Sequence, residues 1–444
     1  MNQRSDSLTN RRDFIKTSSG VIVTAGALAS AVSFPNVSLG QPKGDKLKIG
    51  WVGCGGRGTG AAFQALNADS NVELWAAGDA FKENMDKSVT TLKTALKDKA
   101  DRINLAPERQ FSGIDAYQKV IDSGVDVVIL TSPPGFRPSH IEAAVKAGKH
   151  IFTEKPMAVD GTGLRSVMAS AEEAKKKKLA MVDGFVWRWT YANREAYKRI
   201  HDGGIGDIQA VYSTYNSAGT DRYPKVTREN TPNEVEYQMR RWHYYWWLSG
   251  DGIVEQAIHS IDKMLWTMKD VPPVKAVAHG GRQVRTDAKF GNVFDHFAVE
   301  YRWENNVPGY HYSRQIDNCW NSVADRVFGT KGVYDGESAS KVHTIRGETP
   351  WRFRLDEKNR NDGYQTEHDE LFASIRSGNP LNTSERFIKS TAMAIMGRMA
   401  AYTGKEVTWE QVINSKEDSF PKNLSWDTKL PEVPVALPGI TPLI

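Results

Sequence analysis

The segment that most restricts the fold is a short apolar run that ends in closely spaced glycines. Leu47-Lys48-Ile49-Gly50-Trp51-Val52 reads as a buried strand and passes directly into Gly53-Cys54-Gly55-Gly56-Arg57-Gly58, after which Ala61 to Leu66 has a helical pattern. Gly53, Gly55 and Gly58 satisfy the G-x-G-x-x-G spacing in the strand-turn-helix context that gives it meaning. Gly53 makes the tight turn, Gly55 lets a pyrophosphate approach the backbone, and Gly58 lets helix and strand pack closely. Free amides at the helix start, from Gly56 and Arg57 onward, receive the phosphate charge. The next apolar run, Val72 to Ala77, ends at Gly78-Asp79. A carboxylate there can hydrogen-bond a ribose diol and would repel a 2′-phosphate, so NAD is favoured over NADP. Lys82 keeps NADP open as the alternative.

The alternation continues along the chain. Ala80 to Leu96 and Asp115 to Ile121 read as helices, Val125 to Leu130 as a strand, His140 to Ala147 as a helix and His150 to Thr153 as a strand; helix Gly161 to Lys178 and strand Leu179 to Val182 follow. Repeated strand-helix units predict a doubly wound parallel sheet of the Rossmann type over residues 44–184, with ligand beyond the carboxyl ends of its strands. Thr131-Ser132-Pro133-Pro134 and Glu154-Lys155-Pro156 fall at those ends. Ser132, Pro133 and Glu154 join the glycines and Asp79 as cofactor-binding candidates.

With 444 residues, the chain exceeds what one core usually serves. Lys plus Arg outnumber Asp plus Glu by 58 to 53, a formal +5 that gives no support for nucleic-acid binding. Residues 1–40 have the order of an export signal: Arg11-Arg12-Asp13-Phe14-Ile15-Lys16, an uncharged stretch to Phe34, and small residues around Ala29-Ser30-Ala31. Paired arginines followed by Asp-Phe-Ile-Lys resemble the twin-arginine type, which carries folded proteins. The expected location is periplasmic or otherwise exported, with no stable membrane insertion after export, because the apolar run is too diluted with Gly, Ser and Thr to span a bilayer. The two cysteines, Cys54 and Cys319, imply neither a disulfide framework nor a metal site.

Taken together, the glycine turn, Ser132-Pro133-Pro134 followed by His140, the run Ala147-Gly148-Lys149-His150-Ile151-Phe152-Thr153-Glu154-Lys155-Pro156 and a later helix containing His259 resemble the Gfo/Idh/MocA oxidoreductases. The likeness spans about Lys46 to Tyr402, and the Gly-Lys-His strand ending in Glu-Lys-Pro is its most specific element. It implies a C-terminal α+β domain built on a large, mostly antiparallel sheet that lines the substrate site and mediates homo-oligomerisation, as a dimer or a tetramer. It also implies that Lys155 lies beside the nicotinamide and helps move the proton of the hydroxyl being oxidised. Independently, a strand-end ammonium near a bound cation can have a lowered pKa. The resemblance makes His259 an acid or base and gives the acid four positions earlier a role in binding substrate hydroxyls. That acid is Glu255 here, where the family pattern has Asp, and the extra methylene changes its reach. On a continuous helix Glu255, His259 and Asp262 share a face, and the imidazole can titrate near neutral pH.

Residues 185–430 carry the second domain and most of an unusual complement of 13 tryptophans. Trp187-Arg188-Trp189 and Arg240-Arg241-Trp242-His243-Tyr244-Tyr245-Trp246-Trp247 are the two clusters. Aromatic faces flanked by Arg, His and Tyr suit sugar rings, which present apolar C–H patches beside hydroxyl edges. Trp187, Arg188, Trp242, His243, Tyr244 and Asp262 are therefore the substrate-binding candidates. Val274–His279, Asp295–Trp303, Val307–Arg314 and Arg326–Thr330 read as strands, Gly363–Ser377 and Phe387–Tyr402 as helices, and residues 431–444 as an extended tail.

The expected function is an exported NAD-dependent oxidoreductase with a tightly bound cofactor, acting on a secondary hydroxyl of a sugar or glycoside. Free NAD is scarce outside the cytoplasm, so a resident cofactor must be regenerated in place. One alternative meets that demand differently, as a redox-neutral glycoside hydrolase that oxidises, eliminates, adds water and re-reduces. A non-catalytic sugar or dinucleotide sensor is the third reading; it would retain the glycines but lose Lys155 or His259, and both are present.

Overall fold

The computed structural model describes residues 44–337, 342–353 and 361–444. The signal-like segment around Arg11-Arg12 lies outside the described residues. The first half alternates β1 (Leu47–Val52), α1 (Gly56–Ala68), β2 (Val72–Asp79), α2 (Lys82–Leu96), β3 (Gln110–Ser112), α3 (Ala116–Asp122), β4 (Val127–Leu130), α4 (Arg137–Lys146), β5 (His150–Thr153), α5 (Gly161–Lys176) and β6 (Met181–Asp183). The six strands are all parallel, in the order β3-β2-β1-β4-β5-β6. Side chains alternate across the sheet. Ile49, Trp51, Leu74 and Ile129 pack with Ala61 and Leu66 of α1 and Met85 of α2, whereas Val52, Val128 and Ile151 pack with Ile141 of α4 and Leu164 of α5. Both faces are therefore dry, and the strands lack polar alternation. The strand order reverses between β1 and β4, where a crevice opens beyond their carboxyl ends.

Two local readings shift. The helix expected from His140 starts at Arg137, because Pro138 occupies the first turn, where a missing N–H costs nothing. Strand β3, only three residues long, is too short to show a period.

The second half runs through α6 (Tyr191–His201), β7 (Ile208–Ser217), α7 (Glu234–Arg240), α8 (Trp246–Ser249), α9 (Gly252–Glu255), α10 (Ile258–Thr267), β8 (Lys275–Gly281), β9 (His296–Arg302), β10 (Pro308–Gln315), β11 (Ser322–Gly329), β12 (Gly332–Glu337), β13 (Val342–Gly347) and β14 (Trp351–Arg352). It ends with α11 (Gly363–Arg376), α12 (Ser384–Thr403), β15 (Val407–Thr408) and α13 (Trp409–Asn414). Nine strands form one sheet, ordered β14-β13-β12-β11-β7-β10-β9-β8-β15, antiparallel except for the β7–β10 pair.

Helix α12 joins the halves. It is buried along nearly its whole length, and Met393, Ile395 and Met396 share one core with Ile151 of the parallel sheet and Val299 and Tyr301 of the antiparallel one. Helix α11 instead returns to the first sheet, where Leu371 and Phe372 pack with Trp51 and Phe152. Residues 431–444 pack back onto the same chain. Val435, Ala436 and Leu443 pack against the core, and Gly439 N–H donates to the Thr403 carbonyl at 2.9 Å.

Candidate active site

A cavity of about 750 Å³ opens at the crevice between β1 and β4 and is closed on its other side by residues of the second half. All the cofactor-binding candidates line it: Gly53, Gly55, Gly56, Arg57, Gly58, Asp79, Ser132, Pro133, His140, Glu154 and Lys155.

The glycine turn has the form a dinucleotide phosphate requires. Gly53 has φ +90°, and a Cβ on it would stand 2.6 Å from Ser132 N. A Cβ on Gly58 would stand 2.0 Å from the Gly53 carbonyl, whereas Gly55 and Gly56 face open space. The backbone is thus bare where a pyrophosphate would approach and tight where the helix meets the strand. Asp79 caps the far side, accepting from Cys54 N–H at 2.6 Å and Phe81 N–H at 2.8 Å. Burial raises its pKa, and these donors oppose the rise. His140 is buried against Tyr117, with ring centres 4.0 Å apart, and its Nδ1 lies 3.2 Å from Ser132 Oγ. Burial pushes it down to about 3, so it is neutral, and its Nε2 has no partner among the described residues. Cys54 is buried and Cys319 exposed, and both are free thiols.

Around Glu154 the second half intrudes. Arg57 Nε lies 3.3 Å from Glu154 Oε1, and its guanidinium sits 4.4 Å from the ring centre of Tyr364, on α11. Gly184 leaves room for the Glu154 carboxylate, since a Cβ there would stand 2.6 Å from Oε2. Glu367 of α11 is fully buried, and neither carboxylate oxygen has a partner among the described residues. Burial, reinforced by Glu154, raises its pKa well above the usual range.

Next along the same strand end, Lys155 Nζ donates to the main-chain carbonyl of Glu255 at 2.5 Å and to its Oε1 at 3.2 Å. The Lys155–Pro156 peptide is cis. Arg137, buried behind this loop, donates to the carbonyls of Ser132 at 2.9 Å and Pro156, tying both pocket loops together. Burial, the largest single influence, would raise the Glu255 carboxyl, but Lys155, His243 and Arg222 together outweigh it and hold the group at about 2. His243 Nε2 faces Glu255 Oε2 at 3.9 Å, and its Nδ1 is hydrogen-bonded to the Tyr223 hydroxyl. Burial holds His243 at about 3, so its contact with Glu255 is one of a neutral ring.

The continuous helix expected through Glu255 and His259 is instead two short ones. The Gly252 carbonyl accepts from both Gln256 N–H and Ala257 N–H at 3.0 Å, which ends α9, and His259 N–H turns to the Gln256 carbonyl at 3.5 Å. The Glu255 carbonyl, which an unbroken helix would use, is left for Lys155. His259 lines the cavity as expected but does not titrate near neutrality. Burial and the Lys155 charge hold it well below its ordinary value, and its Nδ1 has no partner among the described residues.

The substrate-binding candidates divide. Trp242 and His243 line the cavity. Trp187 does not; it packs behind His259, ring centres 5.1 Å apart, with Lys263 Nζ 3.9 Å from its ring centre. Arg188 and Asp262 form a buried ion pair outside the cavity, with Arg188 Nη2 2.8 Å from Asp262 Oδ1 and 2.7 Å from Asp270 Oδ1. Each charge is satisfied by the other in a buried setting away from the cavity, so the pair is structural. Tyr244 is buried beneath the segment before α7, its hydroxyl accepting from Arg222 N–H at 2.9 Å. The cavity residues that no sequence motif marks, Arg137, Tyr215, Arg222, Tyr223, Gln256 and Tyr364, come from segments outside the glycine turn and the Glu-Lys-Pro strand.

Comparison with known proteins fits this geometry. Residues 47–183 match the oxidoreductase family with an NAD-binding Rossmann fold, GFO/IDH/MocA, and residues 193–335 match the GFO/IDH/MocA C-terminal domain. Myo-inositol 2-dehydrogenase from Thermotoga maritima is 23% identical over 348 residues, covering 75% of this chain and 90% of the relative. A glycosyl hydrolase family 109 protein from Shewanella pealeana is 26% identical over 186 residues, only 39% of either chain, and an inositol 2-dehydrogenase from Acidiphilium cryptum is matched over 55% of its length. Among solved structures, aldose-aldose oxidoreductase from Caulobacter crescentus aligns with a TM-score of 0.63 at 20% identity, covering 82% of this chain and 99% of that one. Levoglucosan dehydrogenase aligns with a TM-score of 0.65 at 16% identity over the same shares. With both domain profiles matched in order on the corresponding two-sheet fold, the chain belongs to the Gfo/Idh/MocA oxidoreductase family.

Proposed function

We propose that the protein is an NAD-dependent dehydrogenase that oxidises a secondary hydroxyl of a sugar or polyol. The observation that carries this reading is the Lys155–Glu255 pair, set in the same cavity as the glycine turn and a neutral His259. The bare backbone of Gly55 and Gly56 would hold the pyrophosphate and Asp79 the ribose diol, which supports NAD over NADP. NAD, when bound, supplies the acceptor for a hydride from the carbinol carbon.

The chain's own residues handle the proton. An ammonium has three donors, and Lys155 directs two of them at Glu255, leaving one for the substrate hydroxyl oxygen. A cation there stabilises the negative charge that develops on that oxygen. His259, held neutral with Nδ1 unpartnered among the described residues, offers a ring nitrogen to the hydroxyl proton, and because burial and Lys155 keep it a weak base it passes that proton on to solvent rather than retaining it. Trp242 offers an apolar face to a sugar ring.

A second reading, the redox-neutral glycosidase, draws on the family 109 relative and on the separate Tyr223–His243 pair, which would supply another acid and base. Export through the twin-arginine route, with the cofactor already seated, is part of the same proposal and rests on Arg11-Arg12-Asp13-Phe14-Ile15-Lys16. Purified protein with NAD is to be incubated with a panel of sugars, inositols and aryl glycosides while NADH and released aglycone are followed. NADH formation without aglycone release is the expected result. Aglycone release without net NADH would establish the hydrolase instead.

A further inference from the structure

The wall of the cavity beyond His243 carries the Arg222 guanidinium and the Gln256 amide, and it is polarised from behind. Arg285 is 4% exposed and makes no ion pair among the described residues; it donates to Gln315 Oε1 at 2.8 Å and to the Gly219 carbonyl at 3.0 Å. A guanidinium has no acceptor, so the Gln315 amide must turn its oxygen toward Arg285 and its NH₂ away. That NH₂ donates to Gln256 Oε1. Arg222 Nη2 donates to the same oxygen at 3.0 Å. Both lone pairs of Gln256 Oε1 are therefore used, and its own NH₂ is turned to the other side. Arg285 thus fixes two amide orientations in series: the Gln256 NH₂ is turned to the cavity side, where one of its hydrogens meets the Tyr215 hydroxyl, and the remaining N–H groups of Arg222 face the cavity.

The charge points the same way. Arg222 is exposed at the cavity and makes no close ion pair among the described residues; the carboxylate whose charge it feels, Glu255, is bonded to Lys155. Its neighbour Asp221 is engaged by Arg241 at 3.1 Å. Around His243 stand one carboxylate, Glu255, and three cations, Arg222, Lys155 and Arg285, and the carboxylate is already paired with Lys155. A neutral sugar would leave Arg222 facing hydroxyls that gain little from it, whereas an acceptor-only anion would use every donor present.

We propose that Arg222, with the Gln256 amide, forms a subsite for an anionic substituent of the substrate, a carboxylate or a phosphate ester, so that the preferred substrates are acidic sugars. The inference rests on the sugar-dehydrogenase reading for its substrate class, but its test is one of binding.

The NADH-loaded protein is titrated at low salt with a hexose, the matching hexuronate and the matching hexose 6-phosphate, following tryptophan fluorescence. At least one acid is expected to bind about 10- to 100-fold more tightly than the neutral sugar, with Arg222→Gln abolishing the difference and Arg222→Lys keeping part of it. Which acid prevails identifies the anion. Equal binding of acid and neutral sugar, or an acid preference that survives Arg222→Gln, overturns the subsite. NADH production in parallel NAD-loaded samples judges the dehydrogenase reading separately, because an Arg222-dependent acid preference without turnover would leave the subsite standing.

Discussion

The Lys155 ammonium, at the end of β5, donates to both the main-chain carbonyl and the carboxylate of Glu255, one hundred residues later. The main-chain acceptor exists only because α9 stops at Glu255. This one residue therefore orients the ammonium by backbone and compensates it by charge. Replacement by Gln keeps the shape and the carbonyl but removes the charge. Glu255→Gln is expected to lower kcat about 10- to 100-fold with a smaller change in KM, read by steady-state NADH formation. An unchanged kcat would show that the carbonyl alone positions Lys155.

His140 provides a test in stability. Its folded-state pKa, about 3, is depressed below the ordinary histidine value of 6.5, so the unfolded chain binds more protons between those two values. Stability is thus full above about pH 6.5 and falls as the pH drops toward 3, by about 1.4 kcal/mol per pH unit for each such histidine. His243, also at about 3, acts in the same direction, and Glu255 adds a further loss only below about 4.5. Denaturant midpoints from pH 7 to pH 5 should decline, less steeply in His140→Asn.

Gly184→Ala probes the space kept for Glu154. Its methyl would enter within 2.6 Å of a buried carboxylate, and about 1–3 kcal/mol of destabilisation is expected, together with weaker NADH binding because Arg57 loses its anchor. A denaturation curve and an NADH titration check both.

Much of the parallel half could be read from sequence because its central strands are buried on both faces and run into a residue with a local role, whether Gly53, Asp79, Ser132 or Lys155. The same did not hold for Arg188 and Asp262. Their polarity beside an aromatic cluster resembles a sugar site, yet they meet each other through the fold, 74 residues apart in sequence. The break after Glu255 was hidden for a related reason: helical spacing from Glu255 to His259 does not reveal that Gly252 will accept two amides. Arg222 and Gln256 acquire their orientation from Arg285 and Gln315, which no short spacing connects to them.

The buried Arg188 is held by two carboxylates, Asp262 and the partly exposed Asp270, so removing the Asp262 charge leaves it with the weaker half of its compensation. With Asp270 still in place, Asp262→Asn is expected to cost about 1–3 kcal/mol in unfolding free energy, below the ~3–5 kcal/mol of a fully uncompensated buried charge, while the KM ratio between neutral and acidic sugars stays fixed. A change in that ratio without loss of stability would return the pair to the substrate site.

The central claim is that Lys155 acts on the hydroxyl whose carbon is oxidised, and the most direct measurement is single-turnover NADH formation by Lys155→Met loaded with NAD. The variant is expected to bind NADH with wild-type affinity and to form NADH from the same sugar at least about 100-fold more slowly. Formation at the wild-type rate would contradict the account.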